Sequence, residues 1–175
     1  MKDRQRERKR KLKRGYLSLL RNATVAALTL VVLFGVLWML WPVQGQDMFP
    51  AARDGDLLLA SRLQRVWHRG DIVIYQAESE RRVGRIAAKG NDRVDRTEDG
   101  GLIVNGVLQD ERGLEPLSSD RGDFPLEVPE GCIYIIGDNR NDCRDSRDFG
   151  PVSARAVVGT VFGLLRIRGD RKSVV

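Results

Sequence analysis

Residues Ala23 to Trp41, ATVAALTLVVLFGVLWMLW, run for 19 positions without a charge. No other stretch constrains the chain as strongly. An α-helix rises about 1.5 Å per residue, so this run covers about 28 Å, close to the ~30 Å hydrocarbon core of a bilayer. Thr24 and Thr29 are its only polar residues, so it lacks the polar face of a soluble surface helix. Trp38 and Trp41 lie at its far end, where amphipathic rings favour the membrane interface. A cleavable signal peptide would be shorter, with about 7–15 apolar residues and a small-x-small site. This run ends instead in Trp41-Pro42, which argues for a retained anchor. Residues 1–21 carry ten Lys/Arg against two Asp/Glu, and such a flank stays on the cytoplasmic side. The expected organisation is a basic cytoplasmic tail over 1–22, a transmembrane helix over 23–42 and an extracytoplasmic domain over 43–175. The protein is expected in the plasma membrane with a single pass.

The formal charge of +6 belongs to that tail. The remaining residues hold 20 Lys/Arg and 22 Asp/Glu, a net −2. A nucleic-acid-binding body needs its own basic face, so that class is excluded. Contact with anionic lipid is a sufficient role for the tail. Cys132 and Cys143 lie in the outer part, where a disulfide is permitted. Their separation of eleven allows a bridge without fixing its geometry.

Beyond the anchor the apolar runs become short and β-like. Leu57 to Ala60 follows an Asp54-Gly55 turn, Asp71 to Tyr75 follows Arg69-Gly70, and Val83 to Ala88 is a third candidate strand. Leu102 to Val104 and Val107-Leu108 flank Asn105-Gly106, the strongest short hairpin signal. Cys132 to Ile136 is nearly all apolar, as expected of a strand buried on both faces. Val157 to Ile167 is the last candidate. Glu111 to Asp123, with Pro125 and Pro129, reads as a loop. The pattern predicts a mainly β fold, an antiparallel β domain behind one N-terminal transmembrane helix.

Two segments are denser in polar and turn residues than folding alone requires. One is Val43 to Asp56, VQGQDMFPAARDGD; the other is Gly137 to Gly150, GDNRNDCRDSRDFG. Together with Gly70-Asp71-Ile72-Val73 and Gly84-Arg85-Ile86-Ala87-Ala88-Lys89-Gly90-Asn91-Asp92 they resemble, in order, the four motif regions of the type I signal peptidase family. The resemblance runs from the anchor to Val152. It implies a mostly β scaffold, a membrane-proximal groove that pairs with an extended peptide, and exported proteins as clients. In that family a Ser nucleophile is activated by a Lys whose pKa burial lowers, because a hydroxyl needs a base to take its proton. At the corresponding positions this chain has Asp47 and Gly84, and Cys143 stands where a Ser would help orient the Lys. Met48, Phe49 and Pro50 match positions beside the substrate and near the bilayer. Phe49 could line the groove, rest on the membrane or sit in the core. Asp138, Asn139, Asp145, Ser146 and Arg147 match the structural support of the site, with Asp145 in an ion pair.

These departures all fall on the catalytic apparatus. A carboxylate attacking an amide would form an unstable anhydride, and Gly84 accepts no proton. Lys89 lies five residues along the same strand, about 16 Å away on the opposite face at about 3.3 Å per residue. A second carboxylate for aspartic-type hydrolysis could come from Asp145 or Asp71, though the resemblance places Asp145 in an ion pair, and nothing else in the sequence supports a Cys143/His68 dyad. The sole histidine, His68, reads as a surface residue. No cluster has metal-ligand spacing and no cofactor is expected. The resemblance therefore implies a catalytically inactive member that binds secreted, membrane-proximal chains and assists pilus or surface-protein assembly. The alternative is an active signal peptidase with an atypical site. Asp47 is expected to be solvated in the groove, or paired with an Arg or a ligand amine.

Overall fold

The computed structural model describes residues 2–63, 66–111, 113–114, 116–117 and 121–166. Two compact units meet at the Leu37–Trp38 bond. The first is one helix, α1 (Lys2–Leu37), whose stretch Gly15–Leu37 is 23 residues long and apolar enough to cross a membrane. Its end corrects the expected boundary. The helix stops at Leu37, and Trp38–Pro42 is a strand, β1. The reason is tertiary: β1 pairs antiparallel with β2 (Leu57–Ser61), and Met39 is buried with Ala60 and Ile74. Pro42, which cannot continue a helix, closes the strand.

The second unit holds all the sheet structure, and every ladder is antiparallel. Its strands continue as β3 (Ile72–Ala77), β4 (Glu80–Lys89), β5 (Arg93–Arg96), β6 (Leu102–Val104) and β7 (Val107–Leu108). They end with β8 (Leu126–Glu127), β9 (Cys132–Ile136), β10 (Val152–Ser153) and β11 (Val157–Leu165). A seven-stranded sheet has the order β1-β2-β11-β3-β4-β9-β10, and a four-stranded sheet the order β7-β6-β5-β8. The mainly β, antiparallel expectation holds.

The Asn105-Gly106 turn joins β6 to β7 as read, with both residues at positive φ (55° and 79°). β9 is buried on both faces: Tyr134 and Ile136 join one core cluster, Ile133 and Ile135 another. Four elements escaped the pattern. β1 was hidden in the apolar run, while β5 (RVDR), β8 and β10 are too short or too charged to alternate visibly. The short helix α2 (Ser146–Phe149) also lay inside a segment read as a turn. The last expected strand, to Ile167, ends at Leu165; Ile167 itself lies outside the described residues. Both cysteines are free thiols.

Candidate functional site

The site is assembled where the loop after β1 meets the end of β9. The Asp47 carbonyl accepts a hydrogen bond from the Asn139 N–H at 3.0 Å. That close approach requires glycine at 137. A Cβ there would lie 2.7 Å from the Asp47 carbonyl oxygen and 2.5 Å from Cys143 Sγ. The Asp47 main chain and the Cys143 side chain thus both press against Gly137, and the two motif-rich segments form one place.

The segment after Gly137 is rigid for a physical reason. Asp145 caps α2, accepting from the Arg147 N–H at 3.0 Å, while Asp148 accepts from the Asp145 N–H at 2.9 Å. This reciprocal pair satisfies donors that a helix start leaves free. The Asp145 carboxylate also accepts from Arg147 Nε (2.9 Å), Arg147 Nη2 (2.8 Å), Gly137 N–H (2.9 Å) and the Cys143 thiol (3.1 Å). Burial alone would raise its pKa, but Arg147 and the two backbone N–H groups outweigh it and hold the carboxyl below its ordinary value. Arg147 reaches on to the Arg140 carbonyl at 2.7 Å. The Ser146 hydroxyl accepts from the Ile135 N–H at 3.0 Å. Asp138, 1 % exposed, is clasped by Arg85 Nε and Nη2 at 2.8 and 2.6 Å. Cys143, Asp145 and Arg147 therefore form one buried hydrogen-bonded cluster, while Asp138 is held apart from it by Arg85 and Ser146 by the Ile135 N–H.

The Asp47 side chain is half-buried and forms no hydrogen bond or ion pair among the described residues. Burial raises its pKa; the charge of Arg82 opposes this, and the charges of Asp142 and Asp145 add to it. Arg82 itself is paired with Glu80 at 2.6 Å. Of the two expected environments for Asp47, the structure has the unpaired one. A small cavity of about 180 Å³ opens beside it, bounded by Trp41, Val43, Met48, Arg81 and Val83.

Gly84 carries the most chemical information. A Cβ at this position would sit 2.4 Å from Ile135 Cγ2 and 3.3 Å from Tyr75 Cε1. Both neighbours are fully buried. The space in which a side chain at 84 would begin is occupied by an aliphatic branch and an aromatic ring. The Tyr75 pKa is raised by burial first, then by Asp145, and Cys143 and Asp47 add to the rise. The phenol therefore lies within electrostatic reach of the same carboxylates. Cys143 is pushed up to about 12, chiefly by burial and then by Asp145, so it is a neutral thiol at physiological pH rather than a nucleophile.

Met48, Phe49 and Pro50 diverge. Met48 is 1 % exposed and packs with Val43, Ala52 and Leu58, forming the floor of the small cavity. Phe49 is 44 % exposed, with the Arg53 guanidinium 5.3 Å from its ring centroid; it is not a core aromatic. Pro50 borders a separate cavity with Arg85 and Asp138. Lys89 is exposed at the end of β4, beyond a bulge between Ile86 and Ala88. His68 is exposed, 3.8 Å from Asp71. Arg82, Tyr75 and Ile135 are the site residues that sequence reading missed. Only their position in space distinguishes them from ordinary strand residues.

A model of the family described as signal peptidase, peptidase S26, matches residues 16–165. The chain belongs to this family. It is 36 % identical to signal peptidase I of Bacillus caldolyticus over 68 % of this chain and 74 % of that protein. It is 30 % identical to signal peptidase I T of Bacillus subtilis (strain 168), over 83 % of this chain and 82 % of that protein. The chloroplastic thylakoidal processing peptidase 1 of Arabidopsis thaliana is also 30 % identical, over 79 % of this chain but 45 % of that longer protein. A crystal structure of a signal peptidase I from Enterococcus faecalis V583 matches with a TM-score of 0.46 and 28 % identity, covering 56 % of this chain and 97 % of that one.

Proposed function

We propose that this signal-peptidase family member is catalytically inactive and holds exported chains at the membrane without cutting them. The observation that carries the reading is Gly84. The strand position that would supply a base has no side chain, and Ile135 and Tyr75 fill the space such a side chain needs. Asp47 has no hydroxyl, and Cys143 keeps its proton at neutral pH. A nucleophile without a base does not attack an amide at a useful rate. Binding needs neither group. A peptide laid along a strand gains main-chain hydrogen bonds, with small cavities selecting side chains. The cavity beside Asp47, about 180 Å³, is small and of mixed lining, with Met48 and Val83 beside Gln44, Glu80 and Arg82, so it suits a small side chain. Asp47, Met48 and Phe49 would then face or support the client, and the unpaired Asp47 carboxylate would favour a client donor or cation near it. The clients are secreted, membrane-proximal chains, with pilin-like surface subunits the finest form of the proposal. The basic tail supports a cytoplasmic N-terminus and an extracytoplasmic β unit.

The test is a cleavage and capture assay on the full chain in detergent. Incubation with a preprotein is expected to give no mature product, while the preprotein co-purifies with the chain. Product formation that disappears in Asp47→Ala would overturn the proposal in favour of an active peptidase with an atypical site. Equal co-purification after Asp47→Arg and Phe49→Asp would show that the client binds elsewhere.

A further inference from the structure

The sheet end at which β1 begins carries an unbalanced cluster of arginines. Strand register brings it together. Trp38 is opposite Ser61, Ser61 is opposite Thr160, and Gln76 is opposite Arg81. The end of β2, the start of β11, the end of β3 and the start of β4 therefore share one edge of the sheet with Trp38. Arg62, Arg81 and Arg155 surround a cavity of about 330 Å³ there, walled by Trp67 and Gly159. The Trp67 indole donates to Thr160 Oγ1 at 3.2 Å, which holds that wall in place.

None of the three guanidiniums forms an ion pair among the described residues, and no described carboxylate lines the cavity. The nearby acids of the β3–β4 turn are engaged elsewhere: Glu78 with Arg144 at 2.8 Å and Glu80 with Arg82 at 2.6 Å. Arg62 Nη2 lies 3.5 Å from Met39 Sδ, and Arg81 stacks 5.7 Å from the Trp41 ring centroid. Both therefore touch the strand that directly follows the apolar helix. This concentration of positive charge arises in a part of the chain whose net charge is −2. Like charges gathered around one cavity repel unless an anion sits among them, and guanidiniums match phosphate oxygens in geometry.

We propose that Arg62, Arg81 and Arg155 form a binding site for the phosphate of an anionic phospholipid headgroup. The lipid source follows from covalent connectivity. Trp38 is bonded to the last residue of the apolar helix, and Met39 is the next residue along, so a helix that spans the bilayer delivers this sheet end to the headgroup layer. The site is independent of whether the protein cleaves anything. It orients the β unit at the membrane surface and adds to the anchor a contact that selects lipid charge.

The test uses the full chain in a neutral detergent, titrated with phosphatidylglycerol or phosphatidylcholine, the retained lipid being counted by native mass spectrometry. Arg62→Gln with Arg155→Gln is the informative variant, because Arg81 also borders the cavity beside Asp47. The expected result is at least a tenfold weaker retention of phosphatidylglycerol, unchanged retention of phosphatidylcholine and an unchanged thermal midpoint. Equal phosphatidylglycerol retention by the native chain and the variant would overturn the site. Inorganic phosphate displacing the lipid at equal concentration would overturn the lipid assignment in favour of a soluble anion. A loss produced only by neutralising Lys9, Arg10 and Lys11 would assign the effect to the tail and overturn the site as well.

Discussion

At the residue scale, three side chains around the loop after β1 carry opposite signatures. Asp47 has a raised pKa, with burial the largest cause. Folding disfavours its ionised form, so its contribution is most favourable below the unfolded-state value and is lost as pH rises through the folded one. Asp47→Asn is expected to raise the thermal midpoint at pH 7, with the difference from the native chain disappearing as pH falls below the ordinary aspartate value. Asp145 works the other way. Its carboxyl is held below its ordinary value of 3.8, so its stabilisation is present at neutral pH and fades as pH falls below that value. Removing one partner of a buried ion pair costs about 3–5 kcal/mol. Asp145→Asn should therefore lower unfolding free energy by about that much at pH 7, and denaturant titrations at pH 7 and pH 3 should show the deficit shrinking in acid. Cys143, with a pKa near 12, should resist iodoacetamide at pH 8 in the folded protein, while the partly exposed Cys132 is labelled; in urea both should react. That an acid stands in the polar loop after the apolar run was legible at position 47. Its lack of a partner was not, because Arg82 comes within electrostatic reach of Asp47 only in the fold and is already paired with Glu80, its neighbour on the same face of β4.

At the element scale, β4 and β9 decide how much room there is for a side chain at position 84. Ile135 and Gly84 sit on neighbouring strands, with Ile86 opposite Ile135 in the register. Overpacking a filled core costs about 1–3 kcal/mol, so Gly84→Ala should destabilise by about that amount. Ile135→Leu removes the branch that the new Cβ would meet, and the double variant should be less destabilised than the two single changes together predict. A thermodynamic cycle from denaturant unfolding measures this coupling. Strict additivity would mean that Ile135 does not fill the space. The other elements show where pattern reading works. β9 was visible because five consecutive apolar residues have no solvent face to mark, and the Asn105-Gly106 hairpin because its turn needs positive φ. β5 escaped because Arg93, Asp95 and Arg96 carry its polar side and only Val94 points into the core. β1 escaped because Trp, Met and Leu suit a bilayer helix as well as a sheet edge.

At the scale of the whole molecule, the protein is an apolar helix followed by a two-sheet β unit that contains every buried cluster among the described residues. The cluster of Ala88, Val94, Val104 and Tyr134 draws on both sheets, so their packing is part of one cooperative core. Tyr134→Ala should cost about 3–5 kcal/mol, since truncating a buried aromatic leaves a cavity; melts of the full chain in detergent would show it. The sequence alone was enough to establish the apolar helix, the antiparallel β class and the resemblance to the family. These are properties of residue type, order and short-range periodicity, which every copy of the chain displays before it folds. Tertiary structure alone decided that the helix yields to a strand at Trp38, that Ile135 and Tyr75 occupy the space at Gly84, and that Arg62, Arg81 and Arg155 converge. Each of these depends on excluded volume or charge between residues far apart in sequence, and such terms exist only once the sheet register brings them together.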